Sequence, residues 1–413
     1  MASVIAAGFI VIAASTARAQ TVAITNARIH TIAGPALERG TIVVRDGRIE
    51  AVGASVSPPA GIRVIDGNGL TVTPGFLDSY TSLGIVEIGA VDGTNDAATT
   101  LDRFTAAFNV MDAINPLAST IPVTRVAGIT RAIVAPGNGS SLIAGQSVLI
   151  SLAGQRVTDM VLRSPTAVHV TLGEAGSAMA GGSRAAAIME LREAFADARD
   201  FQQNREAWQE NRHRDYVLSR LDLEALQPVL TGDVPLAVTV HRASDILTTL
   251  RLAEEVGIRV ILVGASEAWM VADAIAAASV PVIINPLTNI PGFQSMGITF
   301  ENAARLHAAG VTVVFASFDA HNARNLKQFA GNAVSYGLPY DAALAAVTTN
   351  PARVWGIDST YGTIEPGMDA DLVVWSGDPF ELLTEVVHVF IRGEEVDPHT
   401  RQTELLEKYR TIR

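Results

Sequence analysis

Residues 73 to 84 read TPGFLDSYTSLG, and they stand where one kind of chain gives way to another. The Pro74-Gly75 pair ends the apolar run LTVT, and a second run then alternates through Phe76, Asp78, Tyr80 and Ser82. A period of two places Asp78, Tyr80 and Ser82 on one face of a strand. Asp78 there either orients a ligand or caps the turn.

Upstream, residues 21 to 72 are short strands with turn punctuation: TVAITNARIHTI, GTIVVRDGRIEAVG and IRVIDGNGLTVTPG. Asp46-Gly47 between alternating apolar runs predicts a hairpin. From about residue 356 the same texture returns in GTIEPGMDADLVVWSGDP and VVHVFIRGEEV. Two β-rich ends flank a different middle. There, AVTVH (237–241), RVILV (259–263), VPVIIN (280–285) and VTVVFA (311–316) alternate with helical stretches at 243–256, 267–278 and 300–309. Short, wholly apolar strands joined by helices imply parallel strands covered on both faces, in a barrel or a doubly wound sheet. Residues 184 to 227 break the alternation with a long polar helical stretch, read either as an inserted excursion or lid or as a simple surface helix.

With 413 residues, 48% of them hydrophobic, the chain can bury a large core. The formal charge is −12 and no Lys/Arg run makes a basic patch, which argues against nucleic acid as a partner. The first twenty residues carry an apolar run from Val4 to Ala14 and then Ala17-Arg18-Ala19, the pattern of a secretory signal over residues 1–19. That run is roughly half of the ~20 residues a bilayer-spanning helix needs. No later segment reads as a membrane span, so the expectation is a secreted or periplasmic protein. Cysteine is absent, which excludes disulfides, thiolate-ligated zinc and cysteine nucleophiles. Any metal would be held by His and carboxylates.

The stretch TTNPARVWGIDSTYGTIEPGMDADLVVWSGDP, residues 348 to 379, together with VTPGFLDSYTSLG and the order of parts, resembles the amidohydrolase superfamily, especially its exported imidazolonepropionase-like members. The resemblance implies an α/β fold: a (β/α)8 barrel over residues 76–355, with the helical excursion near 184–227, and a small composite β-sandwich from residues 20–75 and 356–398. Residues 399–413 form a tail. It also implies hydrolysis of C–N bonds, in non-peptide or small cyclic amides, at the C-terminal mouth of the barrel. In the family two His on the first strand, one His each on the fifth and sixth, and an Asp on the eighth hold one or two divalent ions. The ion lowers the pKa of bound water and polarises the carbonyl, and the carboxylate shuttles the proton.

This chain departs from that set position by position. Tyr80 and Ser82 stand at the first-strand ligand positions, and Gly264 stands where the sixth strand usually has His. The fifth-strand His is kept as His241, and Asp319 is the expected eighth-strand acid, with Phe318 one step earlier; a one-residue shift there turns the carboxylate to the other face. In AVHVTLGEAG, His169 occupies the place of a lysine that some relatives carry, and Glu174 follows. Of the eight histidines only His169, His241 and His321 can reach the mouth. The binuclear site is therefore expected to be lost. What remains is at most one divalent, zinc-type ion on His241, His169 and Asp319, or none, with Asp319 and His241 as catalytic residues and Tyr80, Ser82, His321 and Glu174 facing a small-molecule substrate. The glycine-rich run APGNGSSLIAGQS, residues 135 to 147, is either an anion cradle or a flexible loop. Three readings stay open: a hydrolase with a reduced metal site, a metal-free acid/base enzyme using Asp319 with His241, and an inactive relative that binds a ligand or partner at the mouth. A homodimer is the prior for oligomeric state.

Overall fold

The hairpin expected at Asp46-Gly47 forms, with Leu37–Arg45 and Arg48–Gly53 paired antiparallel. Asp46 and Gly47 both take positive φ, 49° and 80°, the turn geometry that matches strand twist. The structure, a computed structural model, describes residues 21–101 and 103–410, so the leader expected at 1–19 lies outside the described residues. Leu372–Trp375 pairs antiparallel with Thr71–Pro74, and Val386–Ile391 adds to its other side. The two chain ends thus build one unit. Val22–Ile29 pairs with Leu37–Arg45 on one edge and with Arg63–Asp66 and Thr71–Pro74 on the other. Backbone bonding therefore runs through one eight-stranded sheet, and the expected sandwich is not confirmed. Its own apolar cluster includes Ile24, Ile42, Val72, Leu372 and Phe390.

In the middle, Val168–Thr171, Leu236–Val240, Val260–Gly264, Val282–Ile284 and Val313–Phe315 pair in parallel, in chain order. Phe76–Thr81 pairs in parallel with Ile129–Val134. The α/β class is as expected, but these strands lie in two hydrogen-bonded sheets rather than in a closed ring of eight. After Ile129–Val134 the chain bends at Ser147. Ile143–Gln146 pairs antiparallel with Val168–Thr171, and Val148–Ser151 pairs antiparallel with Ile129–Val134. The other junction is closed by the residues of the opening motif. Phe318 N–H donates to the Tyr80 carbonyl at 2.9 Å, Ser317 N–H to Asp78 Oδ1 at 2.9 Å, and Thr81 Oγ1 to the Asp319 carbonyl at 2.7 Å.

The polar stretch after residue 184 is not a lid. Arg184–Gln209 is a helix that buries Ala187, Leu191, Phe195, Ala198 and Phe201, an apolar stripe at helical spacing, in the main core. Arg220–Leu230 packs beside it. Among the described residues no helix is long and apolar enough to cross a membrane.

One buried ion group ties the middle to the returning end. Arg131, only 2% exposed, donates through Nε to Asp371 Oδ2 at 3.0 Å and through Nη2 to Asp369 Oδ2 at 2.6 Å. Its guanidinium carbon lies 4.2 Å from the centroid of the Tyr361 ring, and the Tyr361 hydroxyl donates to the Gly75 carbonyl at 2.7 Å. The specific-looking segment 348–379 is thereby the clamp that fixes the Pro74-Gly75 turn.

Candidate functional site

The C-terminal ends of the parallel strands open on a cavity of about 330 Å³ whose lining includes Tyr80, Asn138, His241, Gly264, Asn285 and Phe318. Among the described residues lining it there is no Asp, Glu, Lys or Arg. It is a neutral site built from amides, hydroxyls, one imidazole and aromatic rings.

His241 follows the Leu236–Val240 strand and is held by its neighbour across the site. Its Nδ1 lies 2.9 Å from Ser266 Oγ. With Nδ1 protonated and donating to that hydroxyl, Nε2 keeps its lone pair, and Nε2 has no hydrogen-bond partner among the described residues. Burial holds the imidazole below its ordinary pKa, so it is neutral at pH 7. Gly264 makes room for this ring. A Cβ built there would stand 2.5 Å from His241 Cε1, and Gly264 has φ +81°. The sixth-strand histidine that the resemblance implies has no space beside His241. Gly264→Ala is expected to cost about 1–3 kcal/mol from left-handed strain alone. It should also displace the ring and weaken ligand binding, a pair of effects read by thermal denaturation and titration calorimetry.

Tyr80 does line the cavity, but as an aromatic wall. Its ring stacks on Phe318 with centroids 4.9 Å apart and planes at 30°, and His169 meets it edge-on at 5.4 Å. The phenol donates to the Pro136 carbonyl at 2.9 Å, and burial pushes its pKa up to about 12, so it is not a phenolate ligand near neutrality.

The eighth-strand position is where the structure departs most from the expected residue. Phe318 takes φ +58°, a conformation a bulky side chain adopts only when its surroundings impose it. That turn sends the Phe318 ring into the mouth. The Asp319 carboxylate instead caps the following turn, with Oδ1 accepting from the His321 and Asn322 N–H groups at 2.6 and 3.2 Å and Oδ2 accepting from Asn322 Nδ2 at 2.9 Å. Asp319, expected as a catalytic and metal-binding residue, is not among the cavity's lining residues. Ser82, His321 and Glu174 do not line the cavity either. The Ser82 carbonyl accepts from Ile85 and Val86 N–H in a turn, and His321 and Glu174 are exposed.

Two buried groups beneath the aromatic stack lack full pairing. His169 is buried, with neither ring nitrogen hydrogen-bonded, and desolvation lowers its pKa to about 3. Asp78 uses Oδ1 to accept from Tyr80 and Ser317 N–H at 3.3 and 2.9 Å, while Oδ2 has no partner. Desolvation is the largest influence on Asp78 and raises its pKa from 3.8 to about 7 against those hydrogen bonds.

The signs oppose each other. A carboxyl raised on folding favours the folded state at low pH, and that advantage is lost as pH climbs from about 4 to about 7. A histidine lowered on folding does the reverse, with stability lost as pH falls from 6.5 towards about 3. Asp78→Asn keeps the acceptor for both N–H groups and removes the ionisation. Its stability gain over the natural chain is expected to be near zero at pH 4 and to reach roughly 4 kcal/mol above pH 7, at 1.36 kcal/mol per pKa unit. Urea midpoints across that range check it; a gain independent of pH would refute it.

The divalent ions that the resemblance implies do not fit this donor set as a pair. The first-strand positions hold an aromatic wall and a turn residue, the sixth-strand position has no room for a side chain, and the Asp319 carboxylate is committed elsewhere. Among the described residues no three His, Asp or Glu side chains come together in a group able to hold an ion, so the expected set of His169, His241 and Asp319 is not assembled. Sequence reading missed Asn138, Ser266 and Phe318. The glycine-rich run did carry a signal for the first. Gly137 N–H donates to the Ala97 carbonyl at 2.8 Å, and a Cβ at Gly139 would stand 2.6 Å from the Thr99 carbonyl oxygen. The loop is glycine-rich because it lies tight against residues 97–99, and that places Asn138 in the mouth.

Comparisons with known proteins agree with this architecture. A family model described as "Amidohydrolase family" matches residues 194–396. Among solved structures, an amidohydrolase from Thermotoga maritima MSB8 superposes with a TM-score of 0.82 at 27% identity, over 91% of this chain and 99% of that one. Phenylurea hydrolase B shares the fold, with a TM-score of 0.55 at 16% identity over 92% of this chain and 97% of that one. The amidohydrolase tasK of Hapsidospora irregularis is 26% identical over 387 residues, covering 86% of this chain but only 39% of its own length. The family model, the relative and the solved structure alike place the chain with the amidohydrolase superfamily by similarity.

Proposed function

We propose that this mouth hydrolyses the C–N bond of a small amide with neutral His241 as the general base and without a binuclear metal centre. One observation carries the reading: His241 lines the cavity, is held through Nδ1 by Ser266, and has an uncommitted Nε2. In the reaction a water oxygen attacks the carbonyl carbon while Nε2 takes its proton. The imidazolium then returns that proton to the departing nitrogen as the C–N bond breaks, leaving a carboxylic acid and an amine. Asn138 supports the same assignment. Its Oδ1 accepts from Thr171 Oγ1 at 2.6 Å, which leaves Nδ2 to donate to the substrate carbonyl. The acid/base role expected of Asp319 passes to His241. The leader-like run at Val4–Ala14 and the Ala17-Arg18-Ala19 pattern support a periplasmic or secreted setting for this activity.

A second reading has its own observation. The Tyr80–Phe318 stack walls the cavity at a position where the resemblance implies a metal ligand, and a mouth so walled would bind its ligand without turnover. Incubation of the protein with amides, lactams and dipeptides, with and without chelator, separates the two by mass spectrometry of products. Turnover that survives chelation is the expected result. Turnover found only after metal loading would overturn the proposal, and saturable binding with no product would leave the second reading.

A further inference from the structure

We propose that the ligand of this mouth is an uncharged, planar amide, such as an anilide or a conjugated lactam, and that amides carrying a free carboxylate are rejected. The inference deepens the hydrolase reading and rests on it for the C–N bond, but the recognition stands on separate features of the cavity. No Asp, Glu, Lys or Arg is among the described residues lining it, and burial keeps His241 neutral. A charged group taken into such a site loses hydration and finds no counter-ion.

What the cavity does offer matches an amide group by group. Asn138 Nδ2 is an unused donor for a carbonyl oxygen, and His241 Nε2 is an unused acceptor for the water that attacks the carbonyl. The Phe318 and Tyr80 rings, stacked at 30° to each other, present a flat aromatic wall to the same space. Ile284, Ile298 and Phe300 complete the apolar part of the lining. A flat π-system conjugated to the amide buries its face on that wall in the offset or tilted geometry aromatic pairs favour. At about 330 Å³ the cavity is near the small end of ligand sites, which suits a compact ring amide.

The probes are N-phenylacetamide, its 4-carboxylate derivative, and the non-planar, uncharged N-cyclohexylacetamide, titrated calorimetrically into the whole chain. The planar neutral amide is expected to bind about 100-fold more tightly than the carboxylate, the scale of an unpaired buried charge after partial relaxation. Phe318→Gly removes the wall while suiting the positive φ. It should weaken N-phenylacetamide about tenfold more than the cyclohexyl amide, the upper range of an aromatic contact beyond apolar burial; an unaltered melting temperature or better confirms folding. Equal or tighter binding of the carboxylate, or no binding by either phenyl compound, would overturn the proposal. Binding of the neutral amide without product would keep this inference and remove the hydrolase reading. Turnover confined to carboxylate-bearing substrates would do the reverse.

Discussion

Arg131→Met is expected to lower the free energy of unfolding by about 3–5 kcal/mol, because it leaves the buried Asp371 carboxylate without its cation and Asp369 with only Arg48 and Arg392, at 4.0 and 3.9 Å. Arg131 serves two acids at once, Asp371 at 3.0 Å and Asp369 at 2.6 Å, with side-chain exposures of 3% for the arginine, 1% for Asp371 and 12% for Asp369. Methionine fills similar space but donates no hydrogen bond. Asp371 would keep only the Arg392 N–H, which donates to its other oxygen at 2.8 Å. The Tyr361 ring would also lose the guanidinium stacked on it. The loss should appear as a lower urea midpoint with an unchanged slope. Adding Asp371→Asn and Asp369→Asn to Arg131→Met should restore a large part, since replacing an entire buried ion group is often close to neutral. A single-variant cost below about 1 kcal/mol would place the clamp among ordinary surface pairs and defeat the argument.

The parts of this fold legible in the sequence are those decided locally. Asp46-Gly47 needs only its own backbone preference to make a hairpin, and the runs at 237–241, 259–263 and 311–316 are apolar enough to be buried strands in any context. What was not legible depends on neighbours distant in the chain. The bend at Ser147 is set by its hydrogen bonds to residues 166 and 167, where its N–H donates to the Ala167 carbonyl at 3.1 Å and its hydroxyl lies 2.8 Å from that of Thr166. Helix 184–209 has a polar composition that masks its apolar stripe, so the sequence left an excursion or lid and a surface helix both open. The most consequential case is Phe318 against Asp319. Residue type gives no notice of a left-handed phenylalanine, yet that one conformation decides whether an aromatic ring or a carboxylate enters the mouth. Local rules fail most often at such strained positions, which gather at functional sites. The departures at Tyr80, Ser82 and Gly264 from the ligand types the resemblance implies were visible in the sequence, whereas the stack of Tyr80 on Phe318 was not.

His241→Gln is expected to reduce kcat/KM by about 10²–10⁴-fold, the range for removing a positioned general base. Glutamine retains a polar group near Ser266 but cannot take a proton from water, so ligand affinity should change far less than rate. The pH profile carries independent information. Burial lowers the imidazole pKa, so the base stays unprotonated below the ordinary value of 6.5 as well as above it. Activity should therefore be level through neutrality and fall only on the acid side, at a pH lower than an exposed histidine would give. Ser266→Ala tests the positioning of the ring separately. It removes the hydroxyl 2.9 Å from Nδ1, which frees the tautomer, and the expected signature is a lower kcat with little change in KM. If His241→Gln retained the natural rate, or if the acid limb were unchanged in the Ser266 and His241 variants alike, proton transfer by this residue would be excluded and the mouth would have to be read as a binding site alone.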